Sequence, residues 1–214
     1  MVTRAHRSVI CAAVTLASWL GSAPGLAENA APGHEHDAHR ALMEHPAAYA
    51  RTEVAYAVPA VTLVNQENAP AFLPAVLEGD APVALNFIFT TCSTICPVMT
   101  ATFARLRREL GADGATLRLV SISIDPEHDT PHELKEYAGR YGVGADWQLL
   151  TGEPDRIAAV LKAFDAFAGS KTNHQPLTFF HAPGRRDWVR LKGLASAADL
   201  AREYRRLGDD RAAR

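Results

Sequence analysis

The sequence predicts an α/β fold in which a mixed β-sheet is flanked by helices. Between residues 83 and 167, short apolar runs alternate with segments whose apolar residues recur at helical spacing. Two further apolar runs follow, separated by a turn, and they predict a closing β-hairpin. The chain has 214 residues, of which 48% are hydrophobic, so it can bury one sizeable core but hardly two.

The alternating half begins with residues 83–89, a short apolar and β-branched run typical of a buried central strand. A helix follows past Pro97, because proline suits the first turn of a helix. One face of this helix is apolar and consists of Met99, Phe103, Leu106 and Leu110. Residues 116–124 predict the next strand.

A second helix begins at Thr130 and Pro131, which form a capping box with Glu133, and it extends to about Tyr141. Five more elements are predicted: a strand over 147–150, a helix over 154–167, hairpin strands over 177–181 and 188–192, and a helix over 196–207. An extended segment near 61–64 precedes them all. The alternation implies parallel strands, and the hairpin adds antiparallel ones.

The charge balance argues against two classes of partner. Lys and Arg total 22 against 24 Asp and Glu, which gives a net charge of −2 without a long basic block. We therefore expect no nucleic-acid partner and no attraction to an anionic membrane surface. We expect the protein to be a monomer.

Residues 1–27 have the organisation of a secretory signal peptide. A positive end precedes an apolar stretch over residues 8–20, and small residues continue to Ala27, where cleavage is expected. The protein is thus predicted to be exported, to the periplasm, and soluble. A retained N-terminal membrane anchor is the alternative, disfavoured because the stretch is shorter than the roughly 20 residues of a membrane span. Cys11 would be removed with the leader.

Residues 28–50 are predicted to be a flexible linker that precedes a folded domain over 51–210. The linker is rich in Ala, His and charged residues and lacks apolar periodicity. We interpret this segment, with its four histidines, as a solvated tail. The alternative is a weak metal-gathering arm, since clustered imidazoles suit copper, nickel and zinc. The histidines are His34, His36, His39 and His45.

Cys92 and Cys96 are the only cysteines of the mature chain, too few and too close together for a disulfide scaffold. Cys92 lies just past the strand over 83–89, and Cys96 lies at the start of the next helix, where unpaired N–H groups stabilise a thiolate. Sites in open sheets of this kind form beyond the carboxyl ends of strands. The pair is therefore predicted to be chemically active, with buried thiols or a static disulfide as the alternative.

Three residues separate these cysteines, one more than in the Cys-x-x-Cys motif typical of redox proteins. The wider loop could close a disulfide or hold two sulfurs around one ion. Two thiolates suit Cu(I), and an added imidazole would let the same site accept Cu(II). The residues alone favour copper or redox chemistry without choosing between them.

Three segments carry a family resemblance: residues 86–99 (NFIFTTCSTICPVM), residues 121–131 (SISIDPEHDTP) and the pair Asn173-His174. They resemble the Sco (SenC-type) family of copper chaperones, which have a thioredoxin-like fold. The similar order runs from about residue 60 to 207. In that family two cysteines and a downstream histidine bind copper and serve the assembly of cytochrome c oxidase. The resemblance implies Cys92, Cys96 and His174 as copper ligands.

The same resemblance implies partners: a copper-accepting oxidase subunit or another copper chaperone, and a protein that reduces the thiols. The chain departs from the family beside the third ligand, because the family commonly reads Asp-His-Ser where this chain has Asn173, His174 and Gln175. His181 is a competitor for the role, but its strand position favours a packed or exposed histidine. Pro176 resembles the cis proline of thioredoxins, with an ordinary trans proline as the alternative.

Asp125 and Asp129 are assigned structural roles, at a strand end and beside the helix cap, although they could support the site from outside the ligand set. His128 and His132 are assigned to the start of the same helix.

Three functions remain. A metallochaperone ranks first, a thiol–disulfide oxidoreductase second with its attacking cysteine undecided, and a peroxiredoxin-like peroxidase third, because Phe89 stands where a Thr-x-x-Cys motif needs threonine.

Overall fold

The computed structural model describes residues 48–212. The predicted signal peptide over 1–27 and most of the predicted linker lie outside the described residues, as do Cys11, His34, His36, His39 and His45. The interpretations made for them therefore stay predictions. Within residues 48–212, no helix is both long enough and apolar enough to cross a membrane.

Eight strands of the described chain form one mixed sheet in the order β1-β8-β7-β4-β5-β6-β2-β3. The strands are β1 Tyr49–Val54, β2 Thr62–Asn65, β3 Pro70–Phe72, β4 Val83–Ile88, β5 Arg118–Ser123, β6 Trp147–Thr151, β7 Leu177–His181 and β8 Trp188–Gly193. Strands β4, β5 and β6 are parallel, and every other neighbouring pair is antiparallel. The mixed sheet predicted from the alternation and the hairpin is confirmed.

Helices cover both faces of this sheet, as predicted. The helices are α1 Leu73–Leu77, α2 Ile95–Leu110, α3 Pro131–Tyr141, α4 Pro154–Ala163 and α5 Ala197–Ala212, with 3-10 turns at Gly111–Gly114 and Lys171–Asn173. Apolar residues of α2, α3 and α5 pack in one cluster, and those of α1 and α4 pack in a second. Strand β4 lies between the two clusters and is buried along its whole length.

The ends of two helices show where prediction from the local sequence was right and where it was wrong. Helix α3 begins as predicted, because the Thr130 side chain accepts a hydrogen bond from the backbone N–H of Glu133 at 3.3 Å. Helix α4 was predicted to reach residue 167 but ends at Ala163. There the chain turns inward, because Phe164 is fully buried and packs edge-on against Trp188 with ring centroids 5.1 Å apart.

Strand β1 was not predicted, and it begins inside the segment assigned to the linker over 28–50. The domain therefore starts before residue 51, and α5 continues past the predicted limit of 210. Four of the six β1 side chains are exposed, so the strand has no apolar periodicity to reveal it. Distant contacts fix it instead: Tyr49 Oη and Arg51 Nε each donate to the buried Glu203 carboxylate at 2.8 Å. Strand β3 and helix α1 were likewise not predicted.

Candidate metal and thiol site

Sheet register brings three loops to one edge of the sheet. Cys92 follows the carboxyl end of β4, and Asp125 follows the same end of the parallel neighbour β5, since Ile88 pairs with Ser123. Strand β7 runs the opposite way, with Thr178 paired to Asn86, so β7 begins where β4 ends. The loop that precedes β7 and carries His174 therefore reaches the Cys92 loop, as expected for sites beyond strand carboxyl ends.

Cys92 and His174 line one cavity of about 250 Å³, together with Phe89, Thr94 and Lys171. Cys96 is fully buried. The structure thus places all three predicted ligands in one region, although their ligand atoms do not all lie within 4.8 Å of one another. In the described part of the chain, one group of three His, Cys, Asp or Glu residues meets that distance, on the exposed start of α3: His132, Glu133 and Glu136.

The two cysteines are free thiols with different surroundings. Helix α2 begins at Ile95, and the backbone N–H of Cys96 in its first turn donates to Cys92 Sγ at 3.4 Å. Burial alone raises the pKa of Cys92, but this bond and others from the Cys96 side chain and Thr94 outweigh burial and leave the pKa below its ordinary value. Burial raises the pKa of Cys96 to about 12. Cys92 is therefore the thiol that ionises more readily.

His174 is anchored by one ring nitrogen. Its Nε2 lies 3.0 Å from the carbonyl oxygen of Phe87, which can only accept, so Nε2 carries the proton and Nδ1 keeps its lone pair. Burial lowers the pKa of the imidazole, and the hydrogen bond to Phe87 opposes this only in part. His174 is therefore held as a neutral imidazole, the form that binds metal ions.

Asp129 connects the segment after β5 to the loop that carries Cys92. Its fully buried carboxylate accepts hydrogen bonds from the Thr90 amide at 3.1 Å, the Thr90 hydroxyl at 2.5 Å and the Ser123 hydroxyl at 2.6 Å. The structural role predicted from the helix cap is thus larger, because Asp129 fixes a residue two positions before Cys92. Ser123 also accepts from the backbone N–H of Asp125 at 3.0 Å.

Lys171 is a site residue that the sequence reasoning missed. It begins the 3-10 turn before His174, lines the cavity with Cys92, and its Nζ lies 2.5 Å from Asp125 Oδ2. No local pattern marked it, since the pairing spans 46 residues.

His181, by contrast, is packed as expected: it is buried, its ring stacks on Trp188, and its Nε2 bonds the Arg185 carbonyl at 3.1 Å.

Comparison with known proteins identifies the family. A model of the SCO1/SenC family matches residues 51–183, more than half of the chain. The chain belongs to the SCO1/SenC family. The family resemblance inferred from the cysteine loop, the segment after β5 and His174 is therefore confirmed.

Curated relatives of this Sco-family chain match it in part. The SCO1 protein homolog of Bacillus subtilis is 42% identical over 114 residues, which are 52% of this chain and 58% of that protein. Further relatives are SCO2-like proteins of Rickettsia, such as that of Rickettsia felis, 31% identical over 105 residues, or 49% of each chain. The chain thus spans about half the length of the curated relatives it matches.

Solved Sco structures confirm the thioredoxin-like fold. BsSco, a member of the Sco family of cytochrome c oxidase assembly proteins in which a disulfide switch has been identified, is 30% identical with a TM-score of 0.60. The likeness covers 71% of this chain and 93% of BsSco. Bradyrhizobium japonicum ScoI, solved with copper bound, is 24% identical with a TM-score of 0.58. This likeness covers 70% of this chain and 99% of ScoI and is one of fold.

Proposed function

We propose that this chain binds copper through Cys92, Cys96 and His174 and delivers it to the copper site of cytochrome c oxidase or a similar respiratory oxidase. One observation carries the proposal: Cys92 and His174 line the same cavity, and Cys92 Sγ is hydrogen-bonded to the backbone of Cys96. The copper-bound ScoI and the oxidase-assembly protein BsSco, both of this family, support the choice of cargo and recipient.

The donor set fits copper. Two thiolates suit Cu(I), and the neutral His174 imidazole, with Nδ1 free, suits both Cu(I) and Cu(II). Because the pKa of Cys96 is raised to about 12, that thiol keeps its proton until the metal displaces it. Copper loading therefore releases a proton from Cys96.

The predicted leader places this chemistry outside the cytoplasm, in the periplasm. A disulfide between Cys92 and Cys96 would offer no thiolate, so an exported thiol reductant is needed in an oxidising compartment. The recipient is a copper-accepting oxidase subunit or another copper chaperone. Ligand exchange with that recipient takes place at the cavity that Cys92 and His174 line, since Cys96 is fully buried.

Cu(I) titration of the reduced full-length chain against a colorimetric chelator tests the proposal. We expect one tightly bound Cu(I) in the wild type, loss of tight binding in Cys92→Ser and Cys96→Ser, and weakened binding in His174→Ala. His128→Ala, which removes an exposed histidine, is the control and should bind as the wild type. A chain with His34, His36, His39 and His45 replaced by serine separates any contribution of the N-terminal segment. Absence of tight Cu(I) binding by the reduced wild type would overturn the proposal.

A second function, thiol–disulfide exchange, is favoured by the difference between the two thiols. The Cys92 thiolate would attack one sulfur of a partner's disulfide. This forms a mixed disulfide between Cys92 and the partner and displaces the partner's other sulfur as a thiolate. Cys96 would then lose its proton and attack Cys92 Sγ. This closes the Cys92–Cys96 disulfide, releases the second partner thiol and moves two electrons to the partner. An exported thiol reductant would restore the pair.

Trapping distinguishes this second function. Cys96→Ser should accumulate a mixed disulfide with a disulfide-containing substrate, whereas Cys92→Ser should not, because the attacking sulfur is then missing. If neither variant traps a substrate and the wild type shows no turnover with a thiol reductant, thiol–disulfide exchange is rejected while copper binding stands.

A further inference from the structure

We propose that Lys171 and Asp125 form a brace that holds the His174 loop beside Cys92, so that Lys171 is a positioning residue for copper binding. The inference rests on the proposed function, because it gives His174 its role as a copper ligand. Lys171 cannot be a ligand itself as an ammonium, which has three donors and no lone pair. Its contribution must come from where it holds the turn over Lys171–Asn173.

A continuous series of polar contacts joins the two ligand-bearing loops. Thr90, two residues before Cys92, donates to Asp129, and Ser123 donates to the same carboxylate. The Ser123 hydroxyl in turn accepts from the backbone N–H of Asp125 at 3.0 Å. Asp125 Oδ2 then meets Lys171 Nζ at 2.5 Å, three residues before His174. The segment after β5 is thus tied to the Cys92 loop at one end and to the His174 loop at the other.

The position of the brace suits a positioning role. The Asp125 side chain is 11% exposed, so one partner is fixed, whereas Lys171 is 45% exposed and closes the pair from the surface. The ammonium also lies 5.9 Å from the centroid of the Phe89 ring, on the Cys92 loop. Lys171 and His174 line two cavities in common, the one that contains Cys92 and another of about 120 Å³.

The brace complements the anchor of the histidine ring. The hydrogen bond from His174 Nε2 to Phe87 fixes one nitrogen of the ring. On the near side of His174 the backbone makes short-range bonds such as His174 N–H to the Lys171 carbonyl at 3.2 Å, and after it the Pro176 carbonyl accepts from the Gly193 N–H at 2.9 Å. Without the ion pair, the turn over Lys171–Asn173 can move away from Asp125, and His174 would lie beside the Cys92 loop for a smaller share of the time. Apparent affinity falls with that share.

Cu(I) affinity of the reduced full-length chain tests the brace in a double-mutant cycle. A partly exposed ion pair of this kind supports an effect of about two- to fivefold, so we expect Lys171→Met to weaken Cu(I) binding by that factor. In a His174→Ala background the same substitution should have no further effect, because the ligand it positions is gone. Asp125→Asn should reproduce Lys171→Met, and Lys171→Arg should restore binding.

A spectroscopic readout separates positioning from a general loss of structure. In the Cu(II)-loaded chain, Lys171→Met should reduce the nitrogen coupling in the electron paramagnetic resonance spectrum, as His174→Ala does more completely. Lys135→Met is the matched control: Lys135 forms an ion pair of the same 2.5 Å length with Glu67, both partners are exposed, and neither lines the Cys92 cavity. It should leave affinity and spectrum unchanged.

Each result has one reading. If Lys171→Met binds copper as the wild type while His174→Ala binds more weakly, the brace is rejected and the proposed function stands. An equal loss from Lys171→Met with and without His174 also rejects the brace. If His174→Ala binds as the wild type, the ligand set of the proposed function is wrong, and the brace falls with it.

Discussion

The Nε2 atom of His174 lies 3.0 Å from the carbonyl oxygen of Phe87, a residue of the central strand β4 that leads to Cys92. A strand backbone thus orients the imidazole, and Nδ1 is the nitrogen that keeps its lone pair. Because Phe87 and Cys92 belong to the same stretch of chain, the position of the histidine is tied to the loop that carries the first sulfur.

The buried His174 should make stability depend on pH. Its pKa is lowered in the folded state, so the stabilisation is fully present above the unfolded value of about 6.5 and is lost as the pH falls below it. We expect the thermal midpoint of the wild type to fall between about pH 7.5 and about pH 5 by more than that of His174→Gln, measured by circular dichroism. The exposed His128→Gln should keep the wild-type difference. Equal slopes in wild type and His174→Gln would contradict the prediction.

The two thiols should be alkylated at different pH. The pKa of Cys92 lies below that of an ordinary thiol and Cys92 lines a cavity, whereas Cys96 is fully buried with a pKa of about 12. In the reduced chain, mass spectrometry should find Cys92 modified by iodoacetamide at a lower pH than an ordinary thiol, while Cys96 stays unmodified. Replacing Cys92 by serine should remove this early reaction. Faster labelling of Cys96 would show that the assignment is reversed.

Removing the Asp129 carboxylate should destabilise the fold. The substitution Asp129→Ala leaves the Thr90 amide and the Ser123 hydroxyl without their buried acceptor, at a cost of roughly 1–3 kcal/mol for each unpaired group. We expect urea denaturation to show a loss of about 2–4 kcal/mol in the free energy of unfolding. Asp80→Ala removes a fully exposed carboxylate and should change this free energy by less than about 0.5 kcal/mol.

Gly193 should be intolerant of a side chain. It has φ +126, and an added Cβ would lie 2.4 Å from the Ala48 carbonyl oxygen and 2.8 Å from Tyr49 Cα, where β8 pairs with β1. We expect Gly193→Ala to lower the free energy of unfolding by about 1–3 kcal/mol and to speed amide exchange in β1. Gly139→Ala, inside α3 with open space around it, should instead stabilise the chain by about 0.5–1 kcal/mol. A neutral Gly193→Ala would show that β1 is not held at this point.

Much of the central fold could be predicted because it is recorded in local patterns. Local signals mark these elements: an apolar run for β4, capping residues for α3, and two runs separated by a turn for β7 and β8. The sequence therefore placed them within a few residues. Strand β1 carries no such signal, because most of its side chains are exposed. The predicted end of α4 was wrong for a related reason, because Phe164 is buried against aromatic rings that lie far away in the sequence.

The sequence by itself determined that a cysteine pair follows a buried strand at the start of a helix, and its motifs predicted the SCO1/SenC family. Only the tertiary structure decided that Cys92 is the more acidic thiol, which nitrogen of His174 is free, and that Lys171 meets Asp125. The physical reason is that helical periodicity and caps act over a few residues. Burial, strand register and ion pairs depend on segments that lie far apart in the chain and meet only when it folds.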